Sequence, residues 1–255
     1  MDSFGLYSQY YDLIYQDKDY VAEVDYVCGL LGKYTSGSPC KSILELGCGT
    51  GLHAELMSHR GFSIHGVELS QTMLEAAMQR RGADGGRLHF ALGDARVYRA
   101  EKKFDAVISL FHVLSYQVDN RDLCGVLETA ATHLDVGGLL VFDFWYGPAV
   151  LWQRPALRVK GLENDHISVV RIAEPVLHDA DNVVDVNYTI FAQDRQGGQI
   201  EKLKETHRMR YFFLNELDEK LNQAGLSRLV AEEWLTGATP SKETWGVTVV
   251  ARKTA

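Results

Sequence analysis

The residues with the most chemical promise open a glycine turn. Ile43-Leu-Glu-Leu-Gly-Cys-Gly-Thr-Gly51 runs an apolar strand straight into three alternating glycines and then a helix. Such a turn lets a ligand approach the backbone and sets helix N–H groups beside it. The dinucleotide fingerprint G-x-G-x-x-G is not met, because the third glycine is Gly51 and position 52 is Leu. Glu68 closes the next apolar run in His65-Gly-Val-Glu-Leu-Ser70, where a carboxylate accepts both hydroxyls of an unphosphorylated ribose and repels a 2′-phosphate. Asp94 follows a third run in Leu92-Gly-Asp-Ala95, and a fourth ends in Ser109-Leu-Phe-His112. Acidic or glycine signatures therefore fall at successive carboxyl ends of strands, where open α/β sheets bind ligands.

The elements that must position these residues alternate. Strands are expected at Ser42 to Leu46, Phe62 to Val67, Leu88 to Ala91, Phe104 to Leu110 and Leu139 to Phe144, with helices at Leu52 to Arg60, Ser70 to Arg80 and Arg121 to Leu134. The turn Asp135-Val-Gly-Gly138 separates the last helix from the fifth strand. Residues 1–34 carry two helical patterns, one rich in tyrosine (Tyr7, Tyr10, Tyr11, Tyr15) and one running from Asp19. From Pro148 to about Tyr211, period-two stretches such as Ile167 to Ile172 and Val183 to Ile190 lie between turn signals and predict antiparallel strands. A helix at Asn215 to Ala224 and strands near Leu226 to Leu235 and Trp245 to Ala251 return to the first pattern. The division expected is a core over 1–147, an antiparallel insertion over 148–211 acting as lid or dimer contact, and completion of the core over 212–255.

The 255 residues carry a formal charge of -8, which argues against a grip on nucleic acid or an anionic membrane. No apolar run approaches the roughly 18–20 residues of a membrane span, and the start Met1-Asp-Ser is acidic where a signal peptide is basic. A cytoplasmic enzyme of small molecules is the expectation. Cys28, Cys40, Cys48 and Cys124 form no CxxC pair and no zinc spacing, so neither disulfide nor metal is indicated. Asn187-Tyr-Thr189 matches a glycosylation acceptor that has no consequence without secretion.

The glycine turn with its preceding acid, Glu45, resembles motif I of the class I S-adenosylmethionine (SAM) dependent methyltransferases. The resemblance implies a Rossmann-like α/β fold of seven strands, the last antiparallel, with helices on both faces. It also implies that Glu45, Gly47, Cys48 and Gly49 lie beneath the methionine part of SAM. Glu68 would hold the ribose, Leu69 and Met73 would sandwich the adenine, Asp94 and the Ala95 backbone would bond its edge, and Leu110 would pass the sulfonium. The opening Tyr11-Asp-Leu-Ile-Tyr15 and the insertion after strand five are similar to the N,N-dimethyltransferases of desosamine and mycaminose biosynthesis, in which Tyr11 and Tyr15 would cover the cofactor. The acceptor implied is a sugar or sugar nucleotide, methylated on nitrogen first and on oxygen as the alternative.

An amine with a free lone pair needs little help, whereas a hydroxyl needs a general base. His112 is the candidate base, against the alternative of packing in the loop, and Tyr116 falls where the sugar-amine branch places an aromatic or histidine near the acceptor. Trp145 and Tyr146 in Asp143-Phe-Trp-Tyr-Gly-Pro148 are candidates for stacking on a sugar or base, and Asp143 for an acceptor amine. Lys242 is a candidate for a substrate phosphate; His207, Arg208 and Arg210 form either a cationic wall or an outer face. Competing classes are a nucleotide-dependent oxidoreductase, which the glycine spacing disfavours, and a SAM-binding protein without turnover. An RNA or protein methyltransferase is disfavoured by the charge. Edge strands of the insertion are expected to pair subunits into a homodimer.

Overall fold

The computed structural model describes residues 10–80, 86–198 and 200–254. Tyr7 and the acidic start lie outside the described residues. A parallel sheet runs in the order β3 (Leu88–Leu92), β2 (Ser63–Glu68), β1 (Ser42–Leu46), β4 (Phe104–Ser109) and β5 (Leu134–Tyr146). The antiparallel β11 (Gly246–Lys253) then pairs with β5, and β10 (Leu226–Glu233) with β11. The order reverses at β1, next to β4, which opens the crevice expected to bind a ligand.

Strand alternation divides the core into two layers. Ile43, Ile108 and Val141 face the side covered by α2 (Tyr20–Tyr34), α3 (Leu52–His59) and α4 (Gln71–Gln79). Leu44, Val107 and Leu140, one residue along each strand, face α5 (Asn120–Thr132) and α7 (Leu214–Gln223). Each of these fully buried side chains contributes about 1.5–3 kcal/mol of burial. Asp19 and Asp119 cap α2 and α5 by accepting from the Ala22 and Asp122 amides.

After β5 the chain makes α6 (Gly147–Gln153), begun by Pro148 in the first turn, and then four antiparallel strands: β6 (Arg158–Glu163), β7 (Ile167–His178), β8 (Val183–Asp194) and β9 (Ile200–Phe212). The end of β9 joins the main sheet by pairing parallel with β5 at Trp145↔Tyr211 and Tyr146↔Phe212. The inner face of this second sheet packs on Ile14 of α1 (Tyr11–Ile14) and on Tyr116 and Trp145 from the main sheet's carboxyl end. Among the described residues no helix is long and apolar enough to cross a membrane.

Several elements differ from expectation. Among the described residues the tyrosine-rich helix is the single turn Tyr11–Ile14, and its Ile14 packs against the inserted sheet. The Asp135-Val-Gly-Gly138 turn lies inside β5 as an irregularity: pairing with β4 jumps from Phe104↔Leu134 to Ala106↔Leu139, and Gly137 takes φ +93°. Strand β6, helix α6 and most of β9 carried no clear period-two pattern. On β9 burial does alternate, with Leu203, His207 and Met209 inward and Lys204, Thr206 and Arg208 outward, whereas β6 is exposed along most of its length.

Candidate active site

A cavity of about 440 Å³ opens at the carboxyl ends of the parallel strands, within the range of small-molecule sites. At one end of it the three glycines divide into two kinds. All take left-handed φ, +77°, +56° and +80°. A Cβ on Gly47 would lie 2.7 Å from Val113, and one on Gly51 3.0 Å from Ala77 and Phe90, so these two are packed by the protein itself. A Cβ on Gly49 would meet only Met73 Sδ at 3.9 Å. The floor over Gly49 is therefore the open stretch of the turn, available to a ligand.

Glu68 ties this turn together. Its Oε2 accepts from the Gly49 amide at 2.9 Å and its Oε1 from the Ser70 amide at 2.8 Å. Carboxylate oxygens accept more than one hydrogen bond, so the same group can serve ribose hydroxyls. Leu69, an exposed apolar side chain, and buried Met73 both line the cavity and offer two apolar surfaces to a flat ring. Asp94 also lines it, but its carboxylate is gripped by Arg96, from Nε at 2.9 Å and Nη2 at 2.5 Å, and this bonding holds it below the usual carboxylate range. Arg96 in turn reaches Asp122 at 2.7 Å. The resemblance did not single out Arg96, which here competes for the edge assigned to adenine.

Cys48, Ala95 and Leu110 lie on the cavity wall, as do Tyr11 and Tyr15. Three expected residues do not. Glu45 is 1% exposed behind the turn, with Oε2 lacking a partner; burial first, then the charge of Glu68, push its carboxyl up to about 8. A cation bound in the cavity would draw it back down. Tyr146 packs edge-on against Phe144, 6.4 Å between rings, on the opposite face of β5 from its neighbour Trp145. Lys242 sits 3.6 Å over the Trp152 ring, outside the cavity.

The acceptor end is built around a strained pair. Phe111 and His112, consecutive and neither glycine, adopt φ +65° and +62°, costing about 1–2 kcal/mol each. Asp143 compensates: the His112 amide donates to both of its oxygens at 3.2 Å, and His112 Nδ1 lies 2.6 Å from Oδ2. Asp143 is 1% exposed, so it does not meet an acceptor amine as expected; it holds His112. The approach of Nδ1 to Oδ2 is a charge pair out of hydrogen-bond alignment, so the ring is held near the carboxylate chiefly through the His112 backbone amide. Trp145 stands edge-on to His112 at 6.2 Å and lines the cavity.

Helix α1 bridges the two halves. Asp12 accepts from Thr50 Oγ1 at 2.7 Å and from Arg80 at 2.8 Å on the glycine-turn side. Tyr10 donates to Glu201 at 3.0 Å, and Lys160 to the Ile14 carbonyl at 2.9 Å, on the inserted-sheet side. Tyr15 is thereby set 4.9 Å from Phe111 and 4.8 Å from Tyr11. Beneath Phe111, Lys18 lies over its ring at 4.3 Å and pairs with Glu23, which also accepts from His53 at 2.7 Å. Burial lowers the Lys18 pKa. The inserted sheet closes the far wall with Tyr188, His207 and Met209, and His207 Nδ1 lies 2.7 Å from the Tyr116 hydroxyl. Lys18, Phe111 and Tyr188 were not readable as site residues; of the three candidates for a cationic wall, His207 lines the cavity and Arg208 and Arg210 do not. Only the same-face spacing of Leu203, His207 and Met209 on β9 hinted that His207 faces inward.

Residues 43–138 match the family model of the methyltransferase domain. The protein is a SAM-dependent methyltransferase. The open Gly49 floor, the Leu69 and Met73 surfaces and the acidic wall around Glu68 fit a cationic adenosine cofactor. When bound, SAM supplies an activated methyl on a sulfonium with a ready-made leaving group. The methyltransferase is 29% identical over 221 residues, 85% of its chain and 88% of the relative's, to a dTDP-3-amino-3,4,6-trideoxy-α-D-glucopyranose N,N-dimethyltransferase of Streptomyces venezuelae. It is 28% identical to a dTDP-3-amino-3,6-dideoxy-α-D-glucopyranose N,N-dimethyltransferase of Streptomyces fradiae, over 89% of its chain and 86% of the other. The solved sugar N-methyltransferase KedS8 of Streptoalloteichus superposes with a TM-score of 0.80 at 25% identity, covering 99% of this chain and 95% of that one.

Proposed function

We propose that this methyltransferase N-methylates the amino group of a nucleotide-linked aminosugar. The observation that carries the reading is the His112–Asp143 pair at the acceptor end of a cavity roofed by α1 and the inserted sheet. The similarity to the dTDP-aminosugar N,N-dimethyltransferases runs over nearly the whole chain, and supports the same class of acceptor. A sugar ammonium must lose a proton before nitrogen can attack. His112 takes it, and buried Asp143 stabilises the imidazolium that results. The nitrogen–carbon bond then forms as the sulfur–carbon bond breaks, and positioning supplies most of the rate. Tyr11, Tyr15 and Trp145 give flat surfaces for the sugar, and residues 148–211 act as a lid over it.

The oriented base also favours a second reading, O-methylation of a sugar hydroxyl, which depends on such a base far more strongly. Calorimetric titration with S-adenosylhomocysteine, then SAM turnover on nucleotide-linked aminosugars and neutral sugars with detection of the +14 mass shift, tests both. An aminosugar product supports the first reading, and a hydroxyl product alone moves the assignment to oxygen. Binding without any turnover would leave a SAM-binding protein. Among the described residues strand β6 ends the inserted sheet with no further strand beside it, and we assign to it the pairing of two subunits; a monomeric mass by light scattering would sink that assignment. The cytoplasm, where nucleotide-linked sugars are modified, is the compartment this reading requires.

A further inference from the structure

We propose that Lys18 is a positioning residue for the acceptor end: its ammonium, held under the Phe111 ring by Glu23, keeps Phe111 and His112 in the left-handed backbone that sets the His112 imidazole. The proposal rests on the reading above in one respect, the role of His112 as the group that takes the acceptor's proton.

Lys18 belongs to the turn that joins α1 to α2. Its amide donates to the Tyr15 carbonyl at 3.0 Å, and its carbonyl accepts from the Tyr20 amide at 3.0 Å. The turn therefore fixes two neighbours of one ring together. The Tyr15 ring stands edge-on to Phe111 at 4.9 Å, and Lys18 Nζ lies 4.3 Å from the Phe111 centroid and 4.0 Å from that of Tyr20. The Lys18 side chain is only 12% exposed, and an ammonium shielded from water is drawn to aromatic faces more strongly than an exposed one.

Glu23 fixes where that ammonium sits. Its Oε2 takes both Lys18 and His53 Nε2, the latter at 2.7 Å, while Oε1 accepts from Trp234 Nε1 at 3.4 Å. Burial works against ionisation of Glu23, but the His53 bond and the Lys18 charge outweigh it and hold the carboxyl below its ordinary range. Burial also lowers the His53 pKa and keeps that ring neutral, so the positive charge that balances Glu23 is the one on Lys18. The ammonium is thus pinned from below by a carboxylate and capped from above by a ring.

Phe111 and His112 need such a hold. Two consecutive non-glycine residues at φ +65° and +62° resist that backbone. Asp143 accepts from the His112 amide, which restrains the second residue of the pair. Lys18 and Tyr15 restrain the first through its ring. Releasing Phe111 lets the backbone leave the left-handed region, and the imidazole of the next residue moves with it.

Charge removal alone would confuse positioning with stability, because Lys18→Met leaves Glu23 buried and unpaired. Lys18→Met/Glu23→Gln removes both charges and keeps the two side chains close to their original size. The experiment compares wild type, these two variants, His112→Gln and the triple variant on a dTDP-linked aminosugar at neutral pH and on its hydroxyl counterpart. It reads kcat and KM separately, with S-adenosylhomocysteine affinity and melting temperature alongside. Lys18→Met is expected to melt lower than wild type. The double variant is expected to recover the melting temperature while its kcat stays about fivefold below wild type, with KM and cofactor affinity unchanged. In the His112→Gln background the same two substitutions should lower kcat no further.

A kcat that recovers together with the melting temperature overturns the proposal, because Lys18 is then only a counter-charge. A loss that adds in full to that of His112→Gln overturns it as well, because Lys18 then does not act through His112. Wild-type enzyme that methylates only the hydroxyl overturns the aminosugar reading, and the same comparison on that acceptor decides the role of Lys18. Wild-type turnover of neither acceptor overturns both.

Discussion

The two ends of one cavity are built by different rules. The cofactor end comes from short consecutive segments, each a strand end with its own turn: Gly47 to Gly51 after β1, Glu68 to Ser70 after β2, Asp94 after β3. Its groups are held by bonds between neighbouring turns, such as Glu68 to the Gly49 and Ser70 amides. The acceptor end comes from segments far apart in the chain. His112 after β4 is oriented by Asp143 on β5, Tyr116 by His207 on β9, and Phe111 is covered by Tyr15 of α1. A binding end that every such enzyme needs can be written locally, while an end that distinguishes acceptors is assembled from whatever the inserted sheet brings over it.

Variants at the acceptor end should change turnover and leave cofactor affinity alone. The largest effect is expected from His112→Gln on a hydroxyl acceptor, where losing the general base should lower kcat by about 10²–10⁴. With an aminosugar the loss should be no more than about tenfold and should disappear above the amine's own pKa, where no proton need be removed first. Equal losses on both acceptors, read from kcat against pH, would contradict His112 as the base. At the cofactor end, Glu68→Ala should weaken S-adenosylhomocysteine by about 1–3 kcal/mol in a calorimetric titration. Unchanged affinity would remove Glu68 from the cofactor end. Gly49→Ala sharpens the same point: its new Cβ meets no protein atom closer than 3.9 Å, so the fold should lose only the roughly 1–2 kcal/mol of left-handed backbone. Cofactor affinity should nevertheless drop about tenfold; a variant that binds normally would show that no ligand rests on that floor.

The smallest effect belongs to neither end and separates activity from stability. Half-buried His65 and buried His133 stand around Tyr98 and Phe104, away from the cavity. Burial pushes His65 down to about 4 and lowers His133 as well. His133 accepts from the Ala100 amide with one nitrogen and faces the Thr129 carbonyl with the other, an arrangement that needs the neutral ring. Depressed histidine pKa values give stability that is fully present above the ordinary 6.5 and is lost as the unfolded chain takes up protons below it. The melting temperature should fall by a few degrees between about pH 7 and pH 5. A flat profile would contradict the burial argument, and an activity loss without a melting shift would point back to His112.

Most of the main sheet was legible because parallel strands flanked by helices read as apolar runs broken by glycine, and their ends carry the ligand groups. Glu68, Gly49 and Met73 were singled out in the sequence, and all three line the cavity. Glu45 was found by its motif, yet it stands behind the turn, since the outward position on β1 is decided by the pleat. Tyr146 and Trp145 are adjacent residues that any sequence reading treats alike, and the alternation of β5 sends one to the core and the other to the cavity. The strained pair Phe111 and His112 carried no signal, because left-handed φ at two non-glycine residues is tolerated only where Asp143 supplies the compensating bonds.

By itself the sequence pointed to the turn and acid that line one end of the cavity, since alternating glycines, a following acid and the periodicity of the flanking elements are local properties of the chain. The tertiary structure alone decided that Asp143 lies against His112, that the Tyr116 hydroxyl lies against His207, and that Lys18 and Tyr188 stand around the same cavity or its wall. Those contacts depend on a side chain from a distant segment arriving within bonding distance. No local pattern encodes that arrival.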